Sequence, residues 1–395
     1  MSIPISKHME HMNPSLIREI FKVAQREGMI SFAAGSPSAS EYPVEEWKTL
    51  AQEVFEKQAV AAMSYGVSEG YDPLRSWICD DLAKEGLCSE QDSVLITSGG
   101  QQILDLTAKC LINDGDTILV EAPTFLNALN TFRTYGAHLV GVPMDEQGMQ
   151  MDALEKALQT EQRVKLIYTI PNFQNPMGVT MTAERRRRLY ELAEQYDVMI
   201  LEDDPYGKLR YSGEPVPAIK TLDRGERVIY AGSFSKIVAP GIRVAYLSAP
   251  QALVEKMVVA KQCVDVHTNM FSQIMLYEYV TRYDLKAHIA ECCDHYRIKR
   301  DAMLSAIERE FPDSVQVTHP EGGLFLWATL PEGYTGLAFC EYANSVGVAA
   351  IPGAPFFVDS DPQDRGFRMN FSVPTIEQIE TGIVRMGQGL KSFIK

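Results

Sequence analysis

The 395-residue sequence contains no run of 18 consecutive apolar residues, so a membrane-spanning helix is not expected. Its first segment, MSIPISKHMEHMNPSLIREI, lacks the apolar core of a secretory signal peptide. Basic residues are also in the minority: 37 lysines and arginines stand against 52 aspartates and glutamates, which gives a formal net charge of −15. This balance disfavours non-specific binding to nucleic acids and to anionic membranes.

Cysteine is scarce, with seven residues scattered along the chain. An odd number spread over a long chain is typical of reduced thiols rather than of a disulfide framework. Low-complexity tracts are absent, and 46% of the residues are hydrophobic. We therefore expect a cytoplasmic globular protein with one large domain, or with a large and a small one.

Short runs rich in β-branched residues, separated by segments with helical periodicity, occupy the middle of the chain. We expect seven strands, at 94–97, 117–121, 138–142, 165–170, 198–203, 227–231 and 244–248. Apolar runs that alternate with helices predict a mostly parallel sheet covered by helices on both faces. The link before the last strand is short and contains Pro240 and Gly241, so that strand is predicted to be antiparallel. The pattern indicates an α/β fold.

The helical segment that follows residue 285 indicates a domain boundary. We expect a large domain over 45–285 and a smaller α+β domain over 286–395. Residues 1–44 are expected to form an N-terminal arm and part of the small domain.

Glycines and polar side chains follow the ends of five predicted strands. The segments are Ser98–Gln102, Ala122–Phe125, Pro171–Gly178, Asp203–Gly207 and Gly232–Lys236. Each alone has an ordinary explanation, such as a turn, a helix cap, a core phenyl ring or a surface lysine. Ligands of open α/β sheets bind outside the carboxyl ends of the strands, so the convergence of five such segments predicts a binding crevice.

Lys236 is the most informative residue of this set. It follows an apolar strand and the small hydroxyl residues Ser233 and Ser235, and it precedes Arg243. A lysine in an apolar pocket near another cation has a lowered pKa and can attack a carbonyl to form a Schiff base. A helix N-terminus with serines and an arginine suits a phosphate, an aromatic ring suits a flat heterocycle, and an acid can hold a ring nitrogen protonated. Together these features describe a site for pyridoxal phosphate.

The segments SFAAGSP, QNPMG, DDPYG, SFSK and GFRMNFS resemble motifs of the fold-type I pyridoxal-phosphate enzymes of the class I/II aminotransferase family. The chain is most similar to the branch of 2-aminoadipate/kynurenine and broad-specificity aromatic aminotransferases, and the resemblance runs nearly end to end. It implies a fold-type I enzyme that moves an amino group from an L-amino acid to a 2-oxo acid. The donor would be 2-aminoadipate or an aromatic or aliphatic amino acid, and the acceptor 2-oxoglutarate.

The resemblance also implies roles for single residues at the cofactor. Lys236 would be the Schiff-base lysine and the general base, and Asp203 the acid paired with the pyridine nitrogen. Tyr206 would bond the ring hydroxyl together with Asn175. Phe125, where many relatives carry a tyrosine, would stack on the ring. The phosphate ligands would be Gly99, Gly100, Gln101, Ser233 and Arg243.

Further residues are implied at the substrate and at a subunit interface. Arg368 would clamp the substrate α-carboxylate, with Asn175 and Gly35 close to it. Arg18, on an N-terminal helix, would meet the distal group of the substrate. Tyr65 would reach the phosphate of a neighbouring subunit, which implies a homodimer.

Two alternatives to transamination are open at this point. One is a lyase of the same fold that eliminates a β-substituent. The other is a regulator that binds the cofactor without catalysis and carries an N-terminal DNA-binding domain. About 30 residues precede SFAAGSP, which is fewer than an independent domain usually needs, so we expect no regulator.

Two other patterns have ordinary interpretations. His288, Cys292 and His295 would share one face of a helix and could suit a metal, but a partly buried helix of the small domain explains them, and no metal is expected. The run 185–188, RRRR, is expected to be the solvated face of an amphipathic helix with glutamates, not a nucleic-acid site.

Overall fold

The structure is a computed structural model that describes residues 3, 5–10, 26, 28–359 and 364–394. The described residues form the helices α1 Lys7–Glu10, α2 Val44–Met63, α3 Asp72–Lys84, α4 Gly100–Leu111, α5 Leu126–Thr134, α6 Met151–Thr160, α7 Ala183–Gln195, α8 Gln251–Gln262, α9 Met270–Arg282, α10 Leu285–Glu310, α11 Gly336–Ser345 and α12 Ile376–Phe393. The strands are β1 Ile30–Ser31, β2 Asp92–Thr97, β3 Thr117–Ala122, β4 His138–Asp145, β5 Gly148–Met149, β6 Val164–Thr169, β7 Met199–Asp204, β8 Val228–Ser233, β9 Ala245–Pro250, β10 Gln316–Val317, β11 Phe325–Thr329, β12 Val348–Ala349, β13 Ile351–Pro352 and β14 Gly366–Asn370.

A large sheet positions most of the predicted site residues. Its strand order in the described chain is β2-β9-β8-β7-β6-β3-β4-β5. The neighbours from β8 to β4 are parallel, whereas β9 is antiparallel to both β2 and β8, so the predicted direction of the last strand is confirmed. The expected number of strands is one too low, because Gly148–Met149 adds an antiparallel strand beside β4. Two residues are too few to show a strand period in a sequence.

The core follows from the apolar runs. Leu119 of β3 and Ile167 of β6 are fully buried, because the strands between the sheet edges have a helix layer on each face. In α7, Leu189 and Leu192 are buried against the sheet at helical spacing, as the periodicity predicts. This arrangement leaves the carboxyl ends of the strands open for a ligand.

The arginine run of α7 departs from its prediction. Arg185 pairs with Asp145, but Arg186 is only 1% exposed. Its guanidinium donates to the carbonyl oxygens of 171, 181, 216 and 217 and to the Asn172 side chain. The expectation of a solvated face is therefore wrong for Arg186, because polar acceptors on the inner side of the helix satisfy its buried charge.

A smaller sheet lies C-terminal to the large one. Over the described residues its order is β10-β11-β14-β13, and β14 is antiparallel to both of its neighbours. Segment 30–32 joins this part of the chain, since β1 pairs with β12 and Asn370 N donates to Phe32 O. α10 begins at Leu285, next to the predicted domain boundary, and the division into domains stays a prediction.

None of the helices formed by the described residues combines the length and hydropathy needed to cross a lipid bilayer. The seven cysteines are all free thiols.

Candidate active site

A cavity of about 520 Å³ lies at the carboxyl ends of the parallel strands, with β14 contributing Arg368 to its wall. The structure brings together most of the residues that the sequence predicts. Those lining the cavity are Gly35, Gly100, Gln101, Phe125, Asn175, Asp203, Tyr206, Ser233, Lys236, Arg243 and Arg368. Of the other predicted residues, Gly99 comes immediately before the lining residue Gly100, and Tyr65 does not line the cavity. Arg18 lies outside the described residues.

Lys236 follows β8 and projects into the cavity, where its Nζ donates to the carbonyl oxygen of Gly35 at 3.1 Å. Burial lowers its pKa to about 8, and the positive charges of Arg368 and Arg243 add to this, although the Asp203 charge opposes it. A lysine with such a pKa has a sizeable neutral fraction at physiological pH, and the neutral amine is the form that acts as nucleophile or base.

Asp203, near the end of β7, supplies the acid. Its Oδ2 accepts a hydrogen bond from the Tyr168 hydroxyl at 2.8 Å. Burial raises the pKa of Asp203 to about 6, and the charge of Asp204 adds to this, whereas the Tyr168 bond and Lys236 oppose it. Tyr168 is a residue that sequence reasoning missed: it is fully buried in β6, and a phenol within an apolar run is the only signal that it gives.

Arg368 places a buried positive charge in the same cavity. Its Nη1 donates to Asn175 Oδ1 at 2.9 Å, its Nη2 donates to Ala33 O at 3.1 Å, and its guanidinium lies 4.3 Å from the Phe325 ring centroid. Burial lowers its pKa to about 10. Its Nε is buried and finds no hydrogen-bond partner among the residues placed by the structure. A buried guanidinium with an unsatisfied donor is suited to bind an anion.

Tyr206 is 4% exposed and is hydrogen-bonded to the side chain of Asn175. Burial raises the pKa of this phenol above its usual range, and the Arg368 charge opposes the shift. The phenol therefore stays protonated at neutral pH and can donate a hydrogen bond into the cavity.

The N-terminus of α4 forms one end of the cavity. Gly99 precedes the helix with a φ of 85°, and no side chain caps the first turn. A side chain at Gly99 would overlap the guanidinium of Arg243, whose Nη2 donates to Ser98 O at 3.2 Å. The positive φ of Gly99 favours glycine here, and open backbone amides beside an arginine are suited to an anion such as a phosphate.

The residues present fit pyridoxal phosphate. The helix N-terminus and Arg243 suit its phosphate, and Phe125, Asp203 and Lys236 line the same cavity. This donor set offers an anion site, an aromatic surface, an acid and a nucleophile within one cavity. Ser233 Oγ accepts from the backbone N–H of Ser235 at 3.1 Å, which leaves its O–H free to donate to a phosphate.

Tyr65 and the histidine helix lie away from this cavity. Tyr65 is 88% exposed, and its ring meets His267 edge-on at 5.7 Å between centroids. On α10, His295 contacts the Glu41 carboxylate at 2.8 Å, and His288 lies 3.7 Å from the thiol of Cys292. In the part of the chain that the structure describes, no group of three or more acidic, histidine or cysteine side chains is arranged to hold a metal.

Comparisons with known proteins agree with this geometry. The family aminotransferase class I and II matches residues 27–386. Aromatic-amino-acid aminotransferase 1 of Thermococcus litoralis is 45% identical over 389 residues, which cover 97% of this chain and 93% of the relative. The multiple substrate aminotransferase of Thermococcus profundus superposes with a TM-score of 0.95 at 41% identity, over 98% of this chain and 97% of the other. The α-aminoadipate aminotransferase LysN of Thermus thermophilus, complexed with N-(5'-phosphopyridoxyl)-L-leucine, gives a TM-score of 0.90 at 34% identity, over 99% of this chain and 98% of the other. The chain therefore belongs to the aminotransferase class I and II family and is a pyridoxal-phosphate-dependent aminotransferase.

Proposed function

We propose that this aminotransferase takes the amino group of 2-aminoadipate or of an aromatic or aliphatic L-amino acid and transfers it to a 2-oxo acid, with 2-oxoglutarate as the main acceptor. The observation that carries the proposal is the buried guanidinium of Arg368 in the cavity of Lys236 and Asp203. An α-carboxylate is the one anion that every amino acid shares with its 2-oxo acid, so a single fixed arginine serves both half-reactions. The names of the similar proteins support the range of donors.

Different residues would hold the phosphate, the ring face and the polar ring atoms of the cofactor. The phosphate would be held by Gly99, Gly100 and Gln101 at the N-terminus of α4 and by Arg243, with Ser233 close by. Phe125 would cover the ring face. Asp203 would hold a proton on the ring nitrogen, and Tyr206 and Asn175 would contact the ring hydroxyl.

Bound pyridoxal phosphate supplies a ring that accepts the electron pair released when the Cα–H bond of the substrate breaks. Arg368 fixes the α-carboxylate, and this orients the Cα–H bond toward the amine of Lys236. Lys236 then removes the Cα proton as the general base, in keeping with its lowered pKa. The same amine returns a proton when the acceptor is converted in the second half-reaction.

We also propose that two copies of the chain form the working enzyme in the cytoplasm, where free thiols persist. Phe55, Val60, Met63 and Val67 are exposed apolar side chains in the second half of α2 and the segment after it, and Tyr65 lies among them in the sequence. Several exposed apolar side chains in one short segment support a protein interface there. A polar groove of about 790 Å³ shares Gln101 and Arg243 with the cavity, and the Tyr65 phenol of a second copy would enter the phosphate site through it.

The role of Arg368 leads to a prediction about substrate binding. We expect Arg368→Ala to raise the KM for amino donors by about 100-fold, since a bidentate charge-assisted contact is lost, and to lower kcat because the substrate loses its orientation. Steady-state kinetics on two unrelated donors, with the cofactor absorbance recorded on each variant, measures this. Arg210→Ala is the matched control, because Arg210 also lies over a phenyl ring and pairs with Glu321 but does not line the cavity. An unchanged KM in Arg368→Ala would refute the proposed carboxylate contact.

Acidic substrates need a further cation. Of the basic residues whose positions the structure gives, Lys236, Arg243 and Arg368 line the cavity, and each has another proposed role. We propose that Arg18 pairs with the distal carboxylate. Arg18→Ala is expected to raise the KM for 2-aminoadipate, glutamate and 2-oxoglutarate by about tenfold or more, the contribution of one partly desolvated ion pair.

A panel of twenty amino acids with 2-aminoadipate and kynurenine, assayed on the parent enzyme and on Arg18→Ala, tests both the donor range and this contact. Aromatic and aliphatic donors, followed in the donor half-reaction alone, should be nearly unaffected by the change. Arg26→Ala serves as the control for loss of a positive charge from the same part of the chain. An equal rise of KM for acidic and apolar donors would show that Arg18 supports the fold and does not contact the substrate.

A further inference from the structure

Glu121 is a buried carboxylate that lies behind the active site. It is 1% exposed at the end of β3 and does not line the cavity. Its carboxylate accepts from Thr169 Oγ1 at 2.5 Å, from the backbone N–H of Ile170 at 3.2 Å and from Gln174 Nε2 at 2.9 Å. Burial raises its pKa to about 7, while these hydrogen bonds favour the ionised form. All three donors belong to the end of β6 and the segment that follows it.

Gln174 connects the Glu121 carboxylate to the segment 171–178. The side chain is fully buried and is held at both ends: Nε2 donates to Pro123 O at 2.8 Å in addition to Glu121, and Oε1 accepts from the Met177 N–H at 2.9 Å. The Gln174 backbone N–H also donates to Val179 O at 2.8 Å. The conformation of the segment between these bonds therefore depends on the Glu121 carboxylate.

Asn175 is the next residue along the chain, and it connects this segment to the substrate side of the cavity. Its Oδ1 accepts from Arg368 Nη1 at 2.9 Å, and its side chain is hydrogen-bonded to Tyr206. A continuous series of hydrogen-bonded and adjacent residues thus leads from Glu121 through Gln174 and Asn175 to the guanidinium of Arg368.

We propose that Glu121 is a positioning residue for the α-carboxylate site: it holds the segment that carries Asn175, and through Asn175 it sets the direction in which Arg368 faces. The inference rests on the proposed role of Arg368 in binding the substrate. An amide in place of the carboxylate keeps only one acceptor oxygen, so position 121 could no longer accept from Thr169 Oγ1, Ile170 N–H and Gln174 Nε2 together, and it would hold the segment less firmly. A displacement of about 1 Å at a binding group can change rates by roughly 100-fold.

Glu202 provides a matched control. It is also fully buried, lies at the corresponding end of β7 and has a pKa raised to about 7 by burial. Its carboxylate accepts from the backbone N–H groups of Ile219 and Lys220, both at 2.8 Å, and neither of these residues lines the cavity. Glu121→Gln and Glu202→Gln therefore make the same chemical change at the same burial, but only the first lies on the route to Arg368.

The experiment compares the two variants in the cofactor-loaded enzyme. We expect Glu121→Gln to raise the donor KM, and the Kd of the unreactive acid 3-phenylpropanoate followed by cofactor absorbance, by about tenfold to a hundredfold. We expect Glu202→Gln to leave both constants within about twofold while lowering Tm to a similar degree. Equal changes of KM in the two variants would show general loosening of the core and would overturn the proposal.

Two further variants make the result specific. In an Asn175→Ala background, Glu121→Gln should cause no additional rise of KM, because both changes interrupt one route. Gln174→Met, which removes the amide at similar volume, should reproduce the Glu121→Gln effect and replaces that variant if it does not fold. A rise of KM that is fully additive with Asn175→Ala would overturn the proposed route.

Arg368→Ala separates this proposal from the proposed function. If Arg368→Ala raises KM and Glu121→Gln leaves it unchanged, the positioning role is refuted while the carboxylate contact stands. If Arg368→Ala leaves KM unchanged, the proposed contact of Arg368 is itself refuted, and with it the positioning role assigned to Glu121.

Discussion

A Lys236→Ala variant is expected to lose transamination by a factor of about 10⁴ or more, together with the visible absorbance of the lysine-bound cofactor. Both properties would depend on one amine, which we propose forms the covalent link and also moves the Cα proton. Its environment supports the two roles, since burial and the charges of Arg368 and Arg243 lower its pKa to about 8. Absorbance spectra and single-turnover kinetics of the purified variant measure the two losses separately.

Lys208 provides the control for this change. Its Nζ pairs with Asp81 at 3.0 Å, and it does not line the cavity although it lies close to Tyr206 in the chain. Lys208→Ala should therefore keep the absorbance and nearly full turnover. In the parent enzyme, borohydride reduction followed by peptide mapping should find the cofactor on Lys236. Near-full turnover in Lys236→Ala would remove the basis of the whole assignment.

The second large effect is expected for Asp203→Asn. An amide cannot hold the ring nitrogen protonated, so the ring accepts electrons less well, and we expect kcat to fall by about 10³-fold or more with little change in the donor KM. The contrast with Arg368→Ala, which acts chiefly on KM, separates the two roles. Steady-state kinetics at saturating donor, supported by the cofactor spectrum, measures the effect.

Asp204→Asn is the matched control for this variant. Asp204 is the next residue, accepts hydrogen bonds from Asn172, Gly207 and Tyr230, and does not line the cavity. Asp204→Asn should therefore lower the stability of the fold more than it lowers kcat. If Asp203→Asn changed only KM, Asp203 would contact the substrate and not the ring nitrogen.

The sequence predicts the fold and the ligand side of the site well, for identifiable reasons. Short runs rich in β-branched residues, such as 117–121, favour buried strands, and the short link through Pro240 leaves no room for a crossover before β9. Asp203 ends one of those runs and Lys236 comes shortly after another, so their place at the strand ends is a consequence of chain order.

The supporting contacts depend on geometry that a sequence does not contain. Tyr168 meets Asp203 only because β6 and β7 are parallel neighbours with Tyr168 beside Leu201. Glu121 reaches Gln174 for a similar reason, across β3 and the end of β6. Arg186 is buried because acceptors from distant segments surround it, and no local pattern distinguishes it from Arg185. The part assigned to Tyr65 depends on a second copy of the chain.

The order of the elements along the chain also determines when the cofactor-binding and substrate-binding parts of the site are synthesised. Lys236, Asp203 and the N-terminus of α4, which is proposed to hold the phosphate, all precede Pro250, the last residue of the large sheet, whereas Arg368 lies on β14. A nascent chain that has not yet extended to β14 contains every proposed cofactor ligand of its own subunit but lacks the proposed anchor for the substrate. The proposed anchor for the α-carboxylate is therefore the last part of the site to be synthesised, and a chain that ends before β14 would lack it while keeping the segments proposed to hold the cofactor.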